Sequence, residues 1–129
     1  MRYMMLIYSR ESPDGPSPED AREIRARHRQ VIEAASRKGI LRGAEPLAAT
    51  ATATTVRSDG ERTLVTDGPF AETKEQLAGY YILDCENLDE AIEWATKIPS
   101  GCKGREGCIE IRPMPGLSSV ADAAVRGND

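Results

Sequence analysis

The order of apolar and amphipathic segments is the feature that most constrains how this chain can fold. Residues Arg2 to Tyr8 are almost continuously apolar and place a tyrosine on each face, which is typical of a strand that is buried on both sides. The patterns that follow give the order strand, helix, a hairpin-rich set of strands, helix, strand. This βαββαβ order predicts an α+β, ferredoxin-like domain, in which both helices cover one face of an antiparallel sheet.

The first helical pattern has clear signals at both ends. Ser17 is a suitable N-cap, Pro18 fits the first helical position, and Gly39 is a candidate C-cap. The residues that share one face, at spacings of three and four, are Ala21, Ile24, His28, Val31, Ile32 and Ala35. The residues on the opposite side are Arg22, Arg25, Arg29, Glu33 and Arg37.

The second helical pattern begins after Asn87, which is a suitable N-cap. Glu90 stands three residues later and completes a capping-box pattern, and Pro99 ends the helix. The predicted buried stripe, with Trp94 at its border, is Leu88, Ala91, Ile92, Ala95 and Ile98.

The remaining strand patterns lie between and after the helices. They are Leu41–Ala49, Thr50–Arg57, Arg62–Thr66, Gly79–Asp84 and Cys108–Arg112. The first of these is weak and contains Pro46, which indicates an irregular edge. Asp59-Gly60 separates the next two runs and is a strong hairpin signal.

One face of the predicted sheet has no helix to cover it. Its residues are tyrosine, methionine, valine, isoleucine and leucine, which are too apolar for open water. We therefore expect a homodimer with twofold symmetry, in which the sheets of the two copies face each other.

The size and charge of the chain exclude several classes of protein. Its 129 residues suit one domain, and the formal net charge of -4 gives no broad basic surface for nucleic acid. No apolar run approaches the roughly 20 residues that span a membrane, and the first residues do not form a signal peptide. We expect a cytoplasmic protein with a domain at 1–113 and a tail at 114–129 that is disordered or forms a short helix.

The sequence has no strong signal for a metal or a cofactor. The cysteines Cys85, Cys102 and Cys108 match no zinc spacing, and a single histidine with scattered carboxylates is weak support for a metal site. The thiols are either all reduced or include a redox pair of Cys102 with Cys108. Phosphate-binding loops and dinucleotide fingerprints are also missing, so we predict no cofactor.

The segment Asp67-Gly68-Pro69-Phe70-Ala71-Glu72-Thr73-Lys74-Glu75-Gln76 combines turn residues with ionisable ones. Together with Leu77 to Tyr81, it closely resembles the signature of the DGPF-domain branch of the YCII-related proteins. Tyr3 to Tyr8, Thr54 to Arg57 and Ile109 to Pro113 resemble that family as well. The resemblance covers most of residues 1–113.

The resemblance implies a ferredoxin-like protomer that pairs into a dimeric α+β barrel. The biochemical activity of the family is largely undefined. For relatives that resemble the smaller YCII proteins, the suspected chemistry uses a His–Asp pair in a cleft. DGPF members are often encoded beside sigma factors of the extracytoplasmic-function class, which implies a regulatory association.

His28 and Asp67 are the candidate catalytic residues. His28 is the only histidine and lies on the apolar face of the first helix, where a histidine is usually a structural residue with one hydrogen bond. The family comparison places a histidine at the matching helical position, which favours a functional role. An imidazole near Asp67 would act as a general base, with its tautomer fixed by the carboxylate. Asp67 alternatively forms an Asx-turn with its own backbone.

The candidate ligand-binding residues are Phe70, Glu72, Lys74 and Tyr80. Phe70 follows a turn and either fills the core or lines a pocket. Glu72 and Lys74 belong either to a solvated, locally paired loop or to a polar ligand site. Tyr80 and Tyr81 point to opposite faces of one strand, so one packs under the helices and the other presents its hydroxyl to the dimer cavity.

Two functions of different classes agree with these patterns. The first is a small-molecule site, enzymatic or not, in a cleft of each protomer. The second is a non-catalytic regulatory protein that engages a protein partner, with Glu72 to Gln76 as the recognition segment. If His28 and the segment that begins at Asp67 both line one cavity, the first function is favoured. If His28 is fully buried and that segment is exposed to solvent, the second function is favoured.

Overall fold

Four antiparallel strands form the main sheet, and a separate hairpin forms a second sheet. These elements come from a computed structural model that describes residues 1–100 and 107–116. The strands are β1 (Arg2–Ser9), β2 (Leu41–Pro46), β3 (Thr54–Ser58), β4 (Thr63–Asp67), β5 (Gln76–Asp84) and β6 (Gly107–Met114), and the helices are α1 (Pro18–Arg37) and α2 (Leu88–Ala95). The main sheet has the order β2-β5-β1-β6, and β3 pairs with β4. The fold is α+β and compatible with the predicted ferredoxin-like fold.

The core lies between one face of the main sheet and both helices. β1 contributes Tyr3, Met5 and Ile7, and β5 contributes Tyr81 and Leu83. The helices close this face with buried side chains, which are Val31 and Ala35 from α1 and Ala91 and Trp94 from α2. The prediction that both helices cover one face is therefore confirmed.

The predicted ends of α1 are confirmed. The Ser17 hydroxyl accepts a hydrogen bond from the backbone N–H of Asp20 at 3.1 Å. Pro18 is the first helical residue, and Gly39 follows the helix with a φ of 75°. Because this φ lies in the left-handed region, glycine suits the position better than other residues.

The N-cap of α2 is confirmed, but its predicted buried stripe is partly wrong, and the helix ends at Ala95 and not at Pro99. Asn87 Oδ1 accepts from the Glu90 backbone N–H at 2.9 Å. Trp94 is 5% exposed and lies within the core, whereas Leu88 and Ile92 are 50% and 46% exposed. The large Trp94 ring buries more apolar area than either aliphatic side chain, and it turns the helix face of Ala91 and Trp94 toward the sheet. Ile98, which follows the end of α2, is buried as well.

The predicted Asp59-Gly60 turn joins β3 to β4. Gly60 has a φ of 95°, and Asp59 Oδ1 accepts from the backbone N–H groups of Glu61 and Arg62 at 3.2 and 2.8 Å. These bonds lower the pKa of the Asp59 carboxyl. The start of the predicted strand at Thr50 is wrong, because Thr50–Thr52 forms a 3₁₀ turn. There the Thr52 hydroxyl donates to the Ala49 carbonyl at 2.7 Å, a local bond that competes with strand pairing.

Several predictions concern residues outside the described ranges. Cys102 and the short helix predicted in the C-terminal tail belong to this group, so the Cys102–Cys108 pair stays a prediction. Cys85 is a buried free thiol and Cys108 an exposed one. Over the described parts of the chain, no helix is long and apolar enough to cross a membrane.

Gly79 allows the close approach of β2 to β5. A Cβ atom at Gly79 would lie 2.8 Å from the carbonyl oxygen of Glu45. A Cβ at Gly43 of β2 would instead meet Ile82 Cδ1 at 3.5 Å, which is an ordinary contact. The backbone that approaches Gly79 is therefore that of the neighbouring strand β2.

We expect Gly79→Ala to destabilise the protein by about 1–3 kcal/mol, because Ala forces the backbones of β2 and β5 apart. Gly43→Ala is the matched control and should change the free energy of unfolding by less than about 1 kcal/mol. Urea unfolding followed by Trp94 fluorescence measures both. Equal stability of the two variants would contradict this account of Gly79.

Candidate functional site

A partly open cavity of about 640 Å³ lies between α1, the loop after β1, the end of β2 and the middle of β5. Much of its wall is apolar, with side chains of Ile7, Ile24, Ile32, Ala44, Leu47 and Ala78. Ligand sites of small molecules commonly have volumes of about 300–1,000 Å³ and mostly apolar walls. The cavity therefore has the size and composition of a small-molecule site.

His28 and Tyr81 form a hydrogen-bonded pair in the wall of this cavity. His28 Nδ1 lies 2.7 Å from the Tyr81 hydroxyl oxygen, and the two rings stack with centroids 5.9 Å apart. α1 supplies the histidine from its apolar face, and β5 supplies the tyrosine from the face that packs under the helices. The pair joins two elements that lie 53 residues apart in sequence.

Burial keeps both groups of the pair uncharged near neutral pH. It lowers the pKa of His28 from 6.5, and the nearby positive charge of Arg27 lowers it further. Burial also raises the pKa of Tyr81 to about 12. A neutral imidazole has one ring nitrogen that donates and one that accepts, so the hydrogen bond to Tyr81 decides the role of each.

The geometry favours Tyr81 as the donor of this bond. A separation of 2.7 Å is typical of O–H donors, whereas N–H donors prefer about 2.9–3.0 Å. The other acceptor near the hydroxyl, the His28 carbonyl oxygen, lies 3.5 Å away. We therefore assign the proton to Nε2, because Nδ1 accepts from Tyr81. Within the described structure Nε2 has no hydrogen-bond partner.

Polar groups lie around the apolar wall. Arg10, Arg25 and Arg29 line the cavity and are exposed. Ser12 also lines it, and its buried hydroxyl has no hydrogen-bond partner in the described ranges. The Glu11 carboxylate is already occupied, because it accepts from the backbone N–H and the hydroxyl of Thr50 at 2.9 and 2.8 Å.

The structure brings two of the predicted site residues to this cavity. His28 and Tyr80 line it, together with Tyr81. Tyr81 is the tyrosine that packs under the helices, because it is 2% exposed. Tyr80, the preceding residue of the strand, is half-buried. The sequence predicts Tyr80 as the ligand-binding tyrosine, and the hydroxyl that contacts His28 belongs to Tyr81.

The other predicted site residues lie on or after the β3–β4 hairpin. Asp67 ends β4 and pairs with Thr54, and Glu72 and Lys74 are exposed. These residues and Phe70 are not part of the cavity wall. The sequence analysis places the Asp67 carboxylate beside the His28 imidazole. In the structure the hydrogen-bond partner of the imidazole is the Tyr81 hydroxyl, and the catalytic role of Asp67 stays a prediction.

The interpretation of Phe70 as a core residue is wrong, because its side chain is 75% exposed. Gly68 turns the chain with a φ of 99°, and its N–H donates to the Ala53 carbonyl at 2.7 Å. The Phe70 carbonyl accepts from Arg57 of β3. These bonds hold the segment beside the hairpin and away from the core.

Sequence reasoning missed Tyr81, Arg25, Arg29 and Ser12 as cavity residues. Arg25 directly follows Ile24, and Arg29 directly follows His28. Helical periodicity therefore predicts that both arginines lie beside the face of α1 that lines the cavity. No sequence signal fixes which residue of β5 stands opposite His28, because this depends on the packing of α1 on the sheet.

We expect the imidazole of His28 to titrate with a pKa below 6.5, since burial disfavours its charged form. The unfolded chain then binds the proton more tightly than the folded chain. The stabilisation is therefore fully present above about pH 6.5 and is lost as the pH falls through the lowered pKa. His28 is the only histidine, so NMR titration of its ring needs no assignment, and the ¹⁵N shifts also report the tautomer.

His28→Gln is the control for the stability effect. Its free energy of unfolding should fall less than that of the wild type between about pH 7.5 and about pH 5, because the titrating ring is gone. A measured pKa at or above 6.5 would contradict the burial of the imidazole.

Comparison with known proteins gives two findings. Residues 1–115 match the family model described as the YCII-related domain. The chain is also 40% identical over 119 residues to an uncharacterized protein of Rhizobium meliloti (strain 1021), and the match covers 88% of this chain and 92% of that protein. The chain therefore belongs to the YCII-related family.

Proposed function

We propose that this protein binds a small molecule in the cavity beside α1, with His28 as the residue that contacts its polar group. The observation that carries the proposal is the His28–Tyr81 pair in the wall of a cavity of about 640 Å³. A single hydrogen bond is also what a structural histidine makes, so the place of His28 in the cavity wall carries the functional interpretation. His28 has one satisfied nitrogen and one that is left for a ligand.

The pair supports hydrogen-bond donation to the ligand more directly than proton abstraction from it. With Nδ1 accepting from Tyr81, Nε2 carries a proton and donates to an acceptor oxygen of the ligand. Such a bond polarises a carbonyl group and stabilises negative charge that develops on its oxygen. Tyr81 is a positioning residue here, because its pKa of about 12 makes it a poor proton source.

The general-base role predicted for His28 requires the other tautomer. Nδ1–H would then donate to the Tyr81 hydroxyl oxygen, and the Tyr81 proton would turn toward the His28 carbonyl, at the longer distance of 3.5 Å. A role for Asp67 in fixing that tautomer has no support from the contacts of the described residues. It stays a prediction that the Asp67→Asn variant tests.

Benzamide is a suitable first probe of the cavity, because it has an apolar ring and a carbonyl acceptor. We expect it to bind and to shift the His28 ring signals in NMR spectra. Ile24→Trp should weaken binding at least about tenfold, because the larger side chain fills the cavity that Ile24 lines. The matched control is Ile92→Trp on α2, which lies outside the cavity wall and is already 46% exposed.

The control variant should bind benzamide as the wild type does. Binding that survives Ile24→Trp, or no binding to the wild type at all, would contradict the cavity as the ligand site.

A homodimer is the second part of the proposal. The face of the main sheet opposite the helices carries Met4, Leu6, Tyr8, Tyr80 and Ile82, which register and alternation place together. In the described structure no helix covers these side chains. A second copy that presents the same face would bury both surfaces at once.

We expect Leu6→Arg to shift the protein from dimer to monomer in analytical ultracentrifugation, because the charge would be buried between two apolar faces. Val65→Arg, on the exposed face of the hairpin, is the control and should leave the dimer intact. A monomeric wild-type protein would contradict the proposed dimer.

A specific observation also favours the second function, a regulatory protein that binds a protein partner. The hairpin and the segment after it expose large apolar side chains, namely Val56, Leu64, Val65 and Phe70, which are 58–75% exposed. The sequence Asp67-Gly68-Pro69-Phe70 supports placement in the DGPF branch, for which an association with extracytoplasmic-function sigma factors is proposed. A cytoplasmic location is proposed from the composition of the chain. His28 is not sealed, so the small-molecule function remains the first choice.

A further inference from the structure

We propose that the ligand of this cavity is a carboxylate with an apolar body, and that Arg25 and Arg29 bind its charged group. This inference rests on the proposed small-molecule function and adds the chemical class of the ligand. It is based on the charged residues around the cavity, which are an observation separate from the hydrogen bond between His28 and Tyr81.

Arg25 and Arg29 lie one helical turn apart on α1, and both line the cavity. Like charges at this spacing destabilise a helix slightly. Among the residues that the structure describes, neither arginine has an acidic partner. Arg10, from the loop after β1, adds a third positive charge to the same wall. A bound anion would relieve this repulsion.

The acidic residues of the wall do not neutralise these arginines. The Glu11 carboxylate accepts both hydrogen bonds from Thr50 and so is held at the start of the 3₁₀ turn. Glu45 pairs with Tyr80, whereas its neighbour Ala44 pairs with Tyr81. Because successive residues of a strand alternate, the Glu45 side chain shares the face of Tyr80, opposite the helices.

The remaining wall indicates what the anion is attached to. Ile24 and Ile32 stand on either side of His28 along α1, so the ligand meets an apolar surface next to the free Nε2–H. Ser12 also lines the cavity, and its hydroxyl is buried and lacks a partner among the described residues. An apolar body with one acceptor near His28 and one anionic group near the arginines satisfies all of these groups.

A carboxylate fits this arrangement better than a phosphate. Phosphate sites usually combine several backbone N–H groups at a helix N-terminus with basic side chains. Arg25 and Arg29 lie in the middle of α1, where the backbone N–H groups are bonded within the helix. Arginine binds a carboxylate through paired N–H donors without help from the backbone.

Benzoate and benzamide test the inference, because they share a shape and differ in charge. Titrated into the full-length protein and followed by calorimetry and the His28 NMR signals, benzoate should bind about tenfold more tightly than benzamide. The double variant Arg25→Gln/Arg29→Gln should reduce this preference to less than about threefold, because benzoate loses its charged partners.

The matched control is Arg22→Gln/Arg37→Gln, which removes the same charge from α1 at residues outside the cavity wall. This control variant should keep the preference for benzoate over benzamide. It therefore distinguishes a local effect of Arg25 and Arg29 from an effect of the net charge alone. The preference of the wild type should also weaken at high salt, because both arginines are exposed.

The outcomes separate the two proposals. Equal binding of benzoate and benzamide, or a preference that survives Arg25→Gln/Arg29→Gln, overturns the carboxylate inference and leaves the cavity as the ligand site. Tighter binding of phenylphosphonate than of benzoate also overturns it, in favour of a phosphate-like group. If the wild type binds none of the probes, the proposed function itself is contradicted.

Discussion

The alternation of side chains along β1 and β5 is the constraint on which the rest of the structure depends. β1 is an inner strand that lies between β5 and β6, so its two faces contribute to the two surfaces of the main sheet. Tyr3, Met5 and Ile7 point toward the helices and form the core with Tyr81 and Leu83. Met4 and Leu6 point the other way, beside Ile82 and Tyr80. A shift of one residue in the pairing would exchange these two sets.

The same alternation determines which tyrosine can take part in the site. Tyr81 faces α1, and if His28 were apolar its hydroxyl would keep only the backbone carbonyl of residue 28, at 3.5 Å. An unpaired buried hydroxyl costs about 1–3 kcal/mol. The histidine thus has a structural role toward Tyr81 through Nδ1 and a binding role through Nε2. These roles belong to different ring nitrogens, so the structural interpretation of His28 does not exclude the functional one.

Much of the fold could be predicted because its signals are local. The caps at Ser17 and Asn87 and the turn at Asp59-Gly60 depend on residues that are close in sequence, and the structure confirms each. The burial of Trp94 and the exposure of Ile92 depend on how α2 rotates against the sheet. Periodicity alone gives the apolar side of a helix within about one residue, so that choice required the tertiary structure.

The site was less predictable than the fold for the same reason. His28 could be identified because a single histidine on an apolar helix face is unusual. Its partner could not, because the contact with Tyr81 spans 53 residues and depends on the packing of α1 on β5. Asp67 and Phe70 are predicted as site residues because the segment from Asp67 to Gln76 combines turn residues with charged ones. In the structure Asp67 ends the hairpin, which has its own two-stranded sheet, and Phe70 follows it; neither residue is part of the cavity wall.

The positions of the cavity and of the uncovered sheet face make their two proposed uses compatible. The cavity lies on the helix side of the main sheet, near the edge strand β2, and opens partly to solvent. The proposed second copy would cover the other side. Tyr80 and Tyr81 connect these two surfaces, because the side chains of successive residues of β5 point to opposite faces of the sheet. A ligand beside Tyr81 and a second copy against Tyr80 would therefore bind mainly on opposite faces of β5, and Tyr80, which also lines the cavity, is the residue through which the two sites meet.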